Sequence, residues 1–380
     1  MNLNKVINEK KRYLVHGNHG GEIYQFNSIN DTNSLIDFST NINPLMTSNM
    51  LVHICNDSIS QVPKYPDSNS TRLKEELVKY FNNKIGKENL IIGAGSMELI
   101  SIFCDMFIDP SDEIIIVQPT FSEYAWAVQK NDGTIINIYR KSENYFRIEC
   151  KPIINKITPK TKVIFLCNPN NPNGLLDNPK DIEKIVNIAS NNDILVFLDE
   201  AFIEFAREFN SFIYKISSFD NLFISRSFTK FFGLTGLRIG FGVSTPKIID
   251  YVIRGQNLWS VNCFGQIIAL EILKSKKFID NSLKFFSKER KFMKNELKKI
   301  PELKILPSDT NFFLINTENS GIKSTQLKEL LIKDNILIRD CSNYNGLNDY
   351  YIRISIKNRD LNIKLINSLK KIILSKKIYK

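Results

Sequence analysis

Residues 225–242 read SRSFTKFFGLTGLRIGFG, and the rest of the chain takes its meaning from them. Lys230 follows three small hydroxyl residues, Ser225, Ser227 and Thr229, and precedes a glycine-punctuated segment that holds Arg238. A lysine amine forms an imine with an aldehyde once burial or a nearby cation brings its pKa toward neutrality. Hydroxyls and a guanidinium beside it are the groups that hold a phosphate. The stretch therefore suits a cofactor carrying both an aldehyde and a phosphate. A lysine between apolar residues is more often a surface residue, so the weight of this reading comes from the segments upstream.

VFLDEAF (196–202) ends an apolar strand on Asp199. A buried aspartate needs a cationic partner. A protonated pyridine nitrogen is one, and the pairing keeps the ring an electron sink. FLCNPNNPNG (165–174) places a turn at the carboxyl edge of a strand, where ligands bind in α/β folds, with Asn171 as a donor to a phenolic oxygen. In PTFSEY (119–124), Phe121 closes a strand and is either a stacking ring or a core residue. GAGSMELI (93–100) runs from a strand through Gly93, Gly95 and Ser96 straight into a helix. Unpaired N–H groups and the positive helix end then meet at one point, a phosphate cradle.

From about residue 88, short apolar runs alternate with amphipathic helical stretches, the pattern of a parallel or mixed sheet covered by helices. Strands are expected at NLIIGAG, EIIIVQPTF, GTIINIYR, KVIFLCNP, ILVFLDEAF, NLFISRSF and RIGFGVS. A long helical region, 264–298, precedes a second αβ block with strands near FFLINT, ILIRDC and YYIRISIK. We expect an N-terminal arm (1–44) that joins a small C-terminal domain (271–380), and a large domain over 45–270.

The order GAGS, PTF, NPNNPNG, DEAF and SFTK…GLRIG resembles the class I/II aminotransferase superfamily of fold-type-I pyridoxal phosphate enzymes over nearly the whole chain. The resemblance implies an α/β fold, a large domain with a mixed, mostly parallel seven-stranded sheet plus a smaller α/β domain. It implies Lys230 as the imine-forming lysine, Asp199 on the pyridine nitrogen, Asn171 on the ring oxygen and Phe121 as the stacking ring. Ser96, Met97 (through its backbone), Ser227 and Arg238 would hold the phosphate. Tyr65, in KYPDSNSTRLKEEL, matches a tyrosine that such enzymes lend to the partner subunit, so a homodimer is implied. Relatives often carry Tyr three residues after the aspartate; this chain has Phe202, and loses a hydrogen bond that would alter the imine pKa.

Within that superfamily, HGNHGGEIYQF (16–26) followed by LIDFSTNINPL (35–45) is similar to the threonine-phosphate decarboxylases of cobalamin synthesis. ILIRDCSNYNGL, YYIRISIKNRDLN and the Phe of DEAF agree with them; Glu22, where Asn or Asp is usual, departs. The implied reaction is decarboxylation of O-phospho-L-threonine to (R)-1-amino-2-propanol phosphate. His19, Gly20, Asn43, Asn171, Arg339 and Arg353 would bind the substrate, since guanidinium forks suit phosphate and carboxylate. Which arginine takes which anion stays open, as does acceptance of phosphoserine. His19 is preferred to His16, and His53 is read as structural. The alternative is histidinol-phosphate aminotransferase, which shares the NPNNP turn, the lysine segment and both arginines.

Composition excludes several classes. The 380 residues carry a net charge of +11, but the lysines are spread over helix-like segments and form no aromatic-interleaved patch, so no nucleic-acid partner is expected. Excess positive charge suits an anionic cofactor and substrate. An effector-sensing regulator of this fold would need a DNA-binding domain for which the residues before 37 leave no room. No apolar run spans a bilayer and the start is too polar for a secretory signal, which points to the cytoplasm. The six scattered cysteines read as reduced thiols, not as a disulfide frame or metal site.

Overall fold

The computed structural model describes residues 11, 14–21, 23, 35–206 and 210–378. Its centre is a seven-stranded sheet in the order Leu90–Gly93, Gly240–Val243, Leu222–Ser227, Leu195–Asp199, Thr161–Cys167, Glu113–Gln118, Thr134–Tyr139. Gly240–Val243 runs antiparallel to both neighbours, and every other pairing is parallel. The inner strands are near-continuous apolar runs because helices cover both faces. Ile164, Val196, Leu198 and Ile224 belong to one packed layer, and Phe165, Phe197 and Phe223 to the other. The seven strands expected from the sequence are the seven strands of this sheet.

Helix boundaries follow local chemistry. Pro179–Ser190 starts with proline just after Asn178, whose side chain accepts from the Lys180 N–H; this is a capped N-terminus with a residue pre-set for helix. The helical region 264–298 resolves into two helices, Cys263–Lys274 and Lys276–Leu297, separated at Ser275, where ψ of 75° interrupts the helix.

The C-terminal block forms a four-stranded antiparallel sheet, Arg339–Asp340, Tyr351–Ser355, Phe312–Asn316, Lys304–Ile305. The last of these strands lacked a sequence signal, being only two residues long. Ile36–Asp37 pairs in parallel with Ile336–Leu337, and the Ser355 N–H donates to the Phe38 carbonyl, so the N-terminal segment is sewn to this block. Among the described residues no helix is long and apolar enough to cross a membrane, and all six cysteines are unpaired.

Candidate active site

Strands of a parallel sheet end on one edge, and this topology brings distant motifs together there. A cavity of about 470 Å3 opens at that edge between the two sheets. Ser96, Met97, Phe121, Asn171, Asp199, Lys230, Arg238, Arg339, Arg353, His19 and Gly20, eleven of the residues singled out from the sequence, all line it.

Asp199 is the last residue of its strand and is buried. Its carboxylate accepts from the Tyr124 hydroxyl at 2.5 Å and from the Ala201 N–H at 2.9 Å. Burial pushes its pKa above the ordinary value, opposed by those hydrogen bonds and by the charge of Lys230. Tyr124 is completely buried, and its phenol is held well above its usual value by burial and then by Asp199. Burial lowers the Lys230 amine to about 8, with the Arg353 and Arg238 charges acting the same way and Asp199 against them. This is the direction that nucleophilic amine chemistry requires.

Arg339 and Arg353 sit directly opposite on adjacent antiparallel strands, which puts both side chains on one face a few ångströms apart. Arg353 donates to Asn171 Oδ1, to the Ser39 carbonyl at 2.9 Å and to the Tyr344 hydroxyl at 3.3 Å, and its Nε is buried without a partner. Tyr344 also donates to Asn171 Oδ1, at 3.2 Å. Arg339 is held as closely, donating to the carbonyls of Asp340 (2.6 Å) and Asn18 (2.5 Å) and to Asn343 Oδ1 (2.8 Å).

Three expectations change. Asn43 is buried away from the cavity, its Nδ2 tied to the Phe231 carbonyl and Ser282 Oγ, both at 2.8 Å; Asn41 lines the cavity instead, with a buried Oδ1 that has no partner. Ser227 stands behind Thr229, whose side chain reaches the cavity while the two hydroxyls share a hydrogen bond of 2.8 Å. His16 is no bystander, because it lines the cavity together with His19. Tyr65 lies outside this cavity, 79% exposed, with its ring stacked on Trp259 at 4.4 Å. Glu22 falls outside the described residues. Sequence reading missed Glu123, Tyr124 and Tyr344. The first two were visible only as neighbours of Phe121 in PTFSEY, where nothing in the spacing marks them as facing a site.

The model of the aminotransferase class I and II family matches residues 33–369. The chain belongs to the class I and II aminotransferase family. Its fold is that of the fold-type-I pyridoxal phosphate enzymes, and its cofactor is pyridoxal phosphate. The cavity fits that group. A Cβ on Gly95, at φ +83°, would meet Arg238 Nη2 at 2.8 Å, and one on Gly240 would meet the Ser96 backbone nitrogen at 2.9 Å. The backbone is thus kept bare where the helix Ser96–Phe107 begins, the place a phosphate would occupy. The buried Asp199 acid and the depressed Lys230 amine suit the cofactor's pyridine nitrogen and aldehyde.

Similar family members carry two different names. The chain is 35% identical over 323 residues to a histidinol-phosphate aminotransferase of Methanocaldococcus jannaschii, covering 85% of each chain. It is 34% identical to that of Methanococcus aeolicus over 98% of both chains. It is also 32% identical, over 93% of both, to a Caldanaerobacter subterraneus protein whose naming as a threonine-phosphate decarboxylase is itself provisional. Among solved structures, the histidinol-phosphate aminotransferase of Clostridium acetobutylicum superimposes with a TM-score of 0.83 at 32% identity, covering 90% of this chain and 100% of that one. The L-threonine-O-3-phosphate decarboxylase of Porphyromonas gingivalis superimposes at 0.77 and 23% identity over 88% of this chain and 98% of that one, a likeness of fold.

Proposed function

We propose that this enzyme acts on a small phosphorylated amino compound, and that its reaction is amino transfer of the histidinol-phosphate type. The observation that carries the choice of reaction is the run of relatives of that name at 34–35% identity over most or nearly all of the chain. They outweigh the sequence preference for decarboxylation, which rested on shorter motifs.

When bound, pyridoxal phosphate supplies an electron sink for negative charge at the substrate's α-carbon. Lys230 carries the cofactor and then moves the proton at that carbon. Asp199, oriented by Tyr124, holds the proton on the ring nitrogen, and Asn171 donates to the ring oxygen. Phe121 stacks on the ring. Ser96, the Met97 N–H, Thr229 and Arg238 take the phosphate, with Ser227 positioning Thr229. Arg353, whose charge is felt at the Lys230 amine, takes the substrate's anionic group, and Arg339 shapes the space beside it. A keto acid occupies the same arginines in the second half of the reaction. Tyr65 serves the partner subunit's phosphate site in a homodimer.

The second reading, decarboxylation of O-phospho-L-threonine, is favoured by two particular observations. The histidine-bearing arm lines the cavity beside Arg339. Phe202, which lines the cavity and packs on Phe312, offers no phenol to the cofactor's ring oxygen.

One experiment decides between them. Cofactor-loaded enzyme is given histidinol phosphate with a keto acid, and separately O-phospho-L-threonine without one. The proposal expects keto-acid-dependent amino transfer from histidinol phosphate and no CO2. Many turnovers of CO2 with aminopropanol phosphate would overturn it in favour of decarboxylation.

A further inference from the structure

We propose that Glu123 is a positioning residue that clamps residues 16–21 as a strap across the mouth of the cavity, and that substrate binding depends on the clamp. The inference rests on reading this cavity as the active site, but not on which of the two substrates it takes.

Glu123 is the first residue of the helix Glu123–Lys130, and its side chain is only 2% exposed. A carboxylate so buried requires donors, and almost all of them come from the strap. His16 Nδ1 and His19 Nε2 each lie 2.7 Å from a different carboxylate oxygen. The Gly17 N–H and the Ser122 hydroxyl add longer contacts at 3.3 Å. Burial pushes the carboxyl's pKa up, but the hydrogen bonds and charges of His19 and His16 outweigh it and hold it at about 2. An ionised carboxylate only accepts, so both imidazoles must present N–H at those nitrogens, which fixes the orientation of each ring.

The strap is fastened elsewhere as well. His16 stacks on Trp126 with ring centroids 4.1 Å apart, and His19 lies 5.5 Å from Phe121. Arg339 Nη2 donates to the Asn18 carbonyl at 2.5 Å, and the Gly21 N–H donates to Ser39 Oγ at 2.9 Å. The strap passes so close to its floor that a Cβ on Gly17 would meet Ser122 Oγ at 2.3 Å, and one on Gly20 the Ser39 carbonyl oxygen at 2.4 Å. Two glycines at this spacing are therefore demanded by the docking. Glu123 thus places both the His19 ring beside Phe121 and, through Asn18, one partner of Arg339.

Trp126 reports on the strap directly, because a stacked imidazole alters indole emission. Glu123→Gln keeps the shape and removes the charge. We expect it to load cofactor normally by visible absorbance, to change Trp126 emission, and to raise KM about tenfold with a smaller change in kcat, the signature of lost uniform binding. The double variant His16→Ala/His19→Ala, altered on the strap alone, is expected to give the same KM shift if Glu123→Gln fails to fold. Normal KM in loaded Glu123→Gln, whatever its emission, or normal KM in the histidine variant, overturns the proposal. If wild-type enzyme turns over neither substrate, the functional reading fails, while the emission of Glu123→Gln still judges the clamp.

Discussion

Lys230 is where composition becomes chemistry. Its amine, ordinarily titrating at 10.5, is brought to about 8, first by burial and then by two neighbouring guanidiniums. Only the neutral amine attacks an aldehyde. The rate of cofactor loading into the apo-enzyme should therefore climb as pH rises through about 8 and then level off. Following the absorbance change against pH checks this, and a rate still climbing steeply near the ordinary lysine value would contradict it. Lys230→Ala should abolish turnover. At this scale the sequence was informative, since the motifs that carry Ser96, Phe121, Asn171, Asp199, Lys230 and Arg238 all reach the cavity. It was silent about Tyr124: a tyrosine at the second position of a helix has no pattern that marks it as the partner of an aspartate 75 residues away.

The strand pair Arg339–Asp340 and Tyr351–Ser355 shows what an element adds. Antiparallel register sets the two arginines opposite each other, but their surroundings differ. Both spend their Nη groups on protein oxygens, but the Arg353 charge acts on the Lys230 amine, where the reaction takes place. An anion reaching the site gains more from Arg353. A charge-assisted hydrogen bond is worth roughly 1.5–3 kcal/mol, so Arg353→Ala should raise KM for the phosphorylated substrate by about ten- to a hundredfold. Arg339→Ala should raise it less, and Arg353→Lys should not restore binding because the fork geometry is lost. Steady-state kinetics on the three variants test the ranking.

Across the whole molecule, the site lies where the edge of the seven-stranded sheet meets the four-stranded one, with the N-terminal segment bridging them through Ile36–Asp37. Tyr65 lies apart from that cavity, exposed and stacked on Trp259. Under the proposed homodimer it completes the partner's site, which predicts complementation between two crippled chains. Tyr65→Ala and Lys230→Ala, co-expressed, should recover activity that neither shows fully alone, because one site in each hybrid has an intact lysine and an intact borrowed tyrosine. Absence of recovery in hybrids verified by mass would place Tyr65's role within its own chain.

By itself the sequence determined the seven central strands, the cofactor chemistry and half of the cavity's lining, because strand ends in a parallel sheet converge on one edge whatever the loops do. Apolar runs bounded by turns were enough to find them. Only the tertiary structure decided which side chains near those motifs face inward. Asn41 rather than Asn43 lines the cavity, and Thr229 stands in front of Ser227. A one- or two-residue shift in an irregular segment has no periodicity to reveal it. The clamp on Glu123 was equally hidden, for its donors lie 104 and 107 residues away in the chain and only folding brings them to one carboxylate.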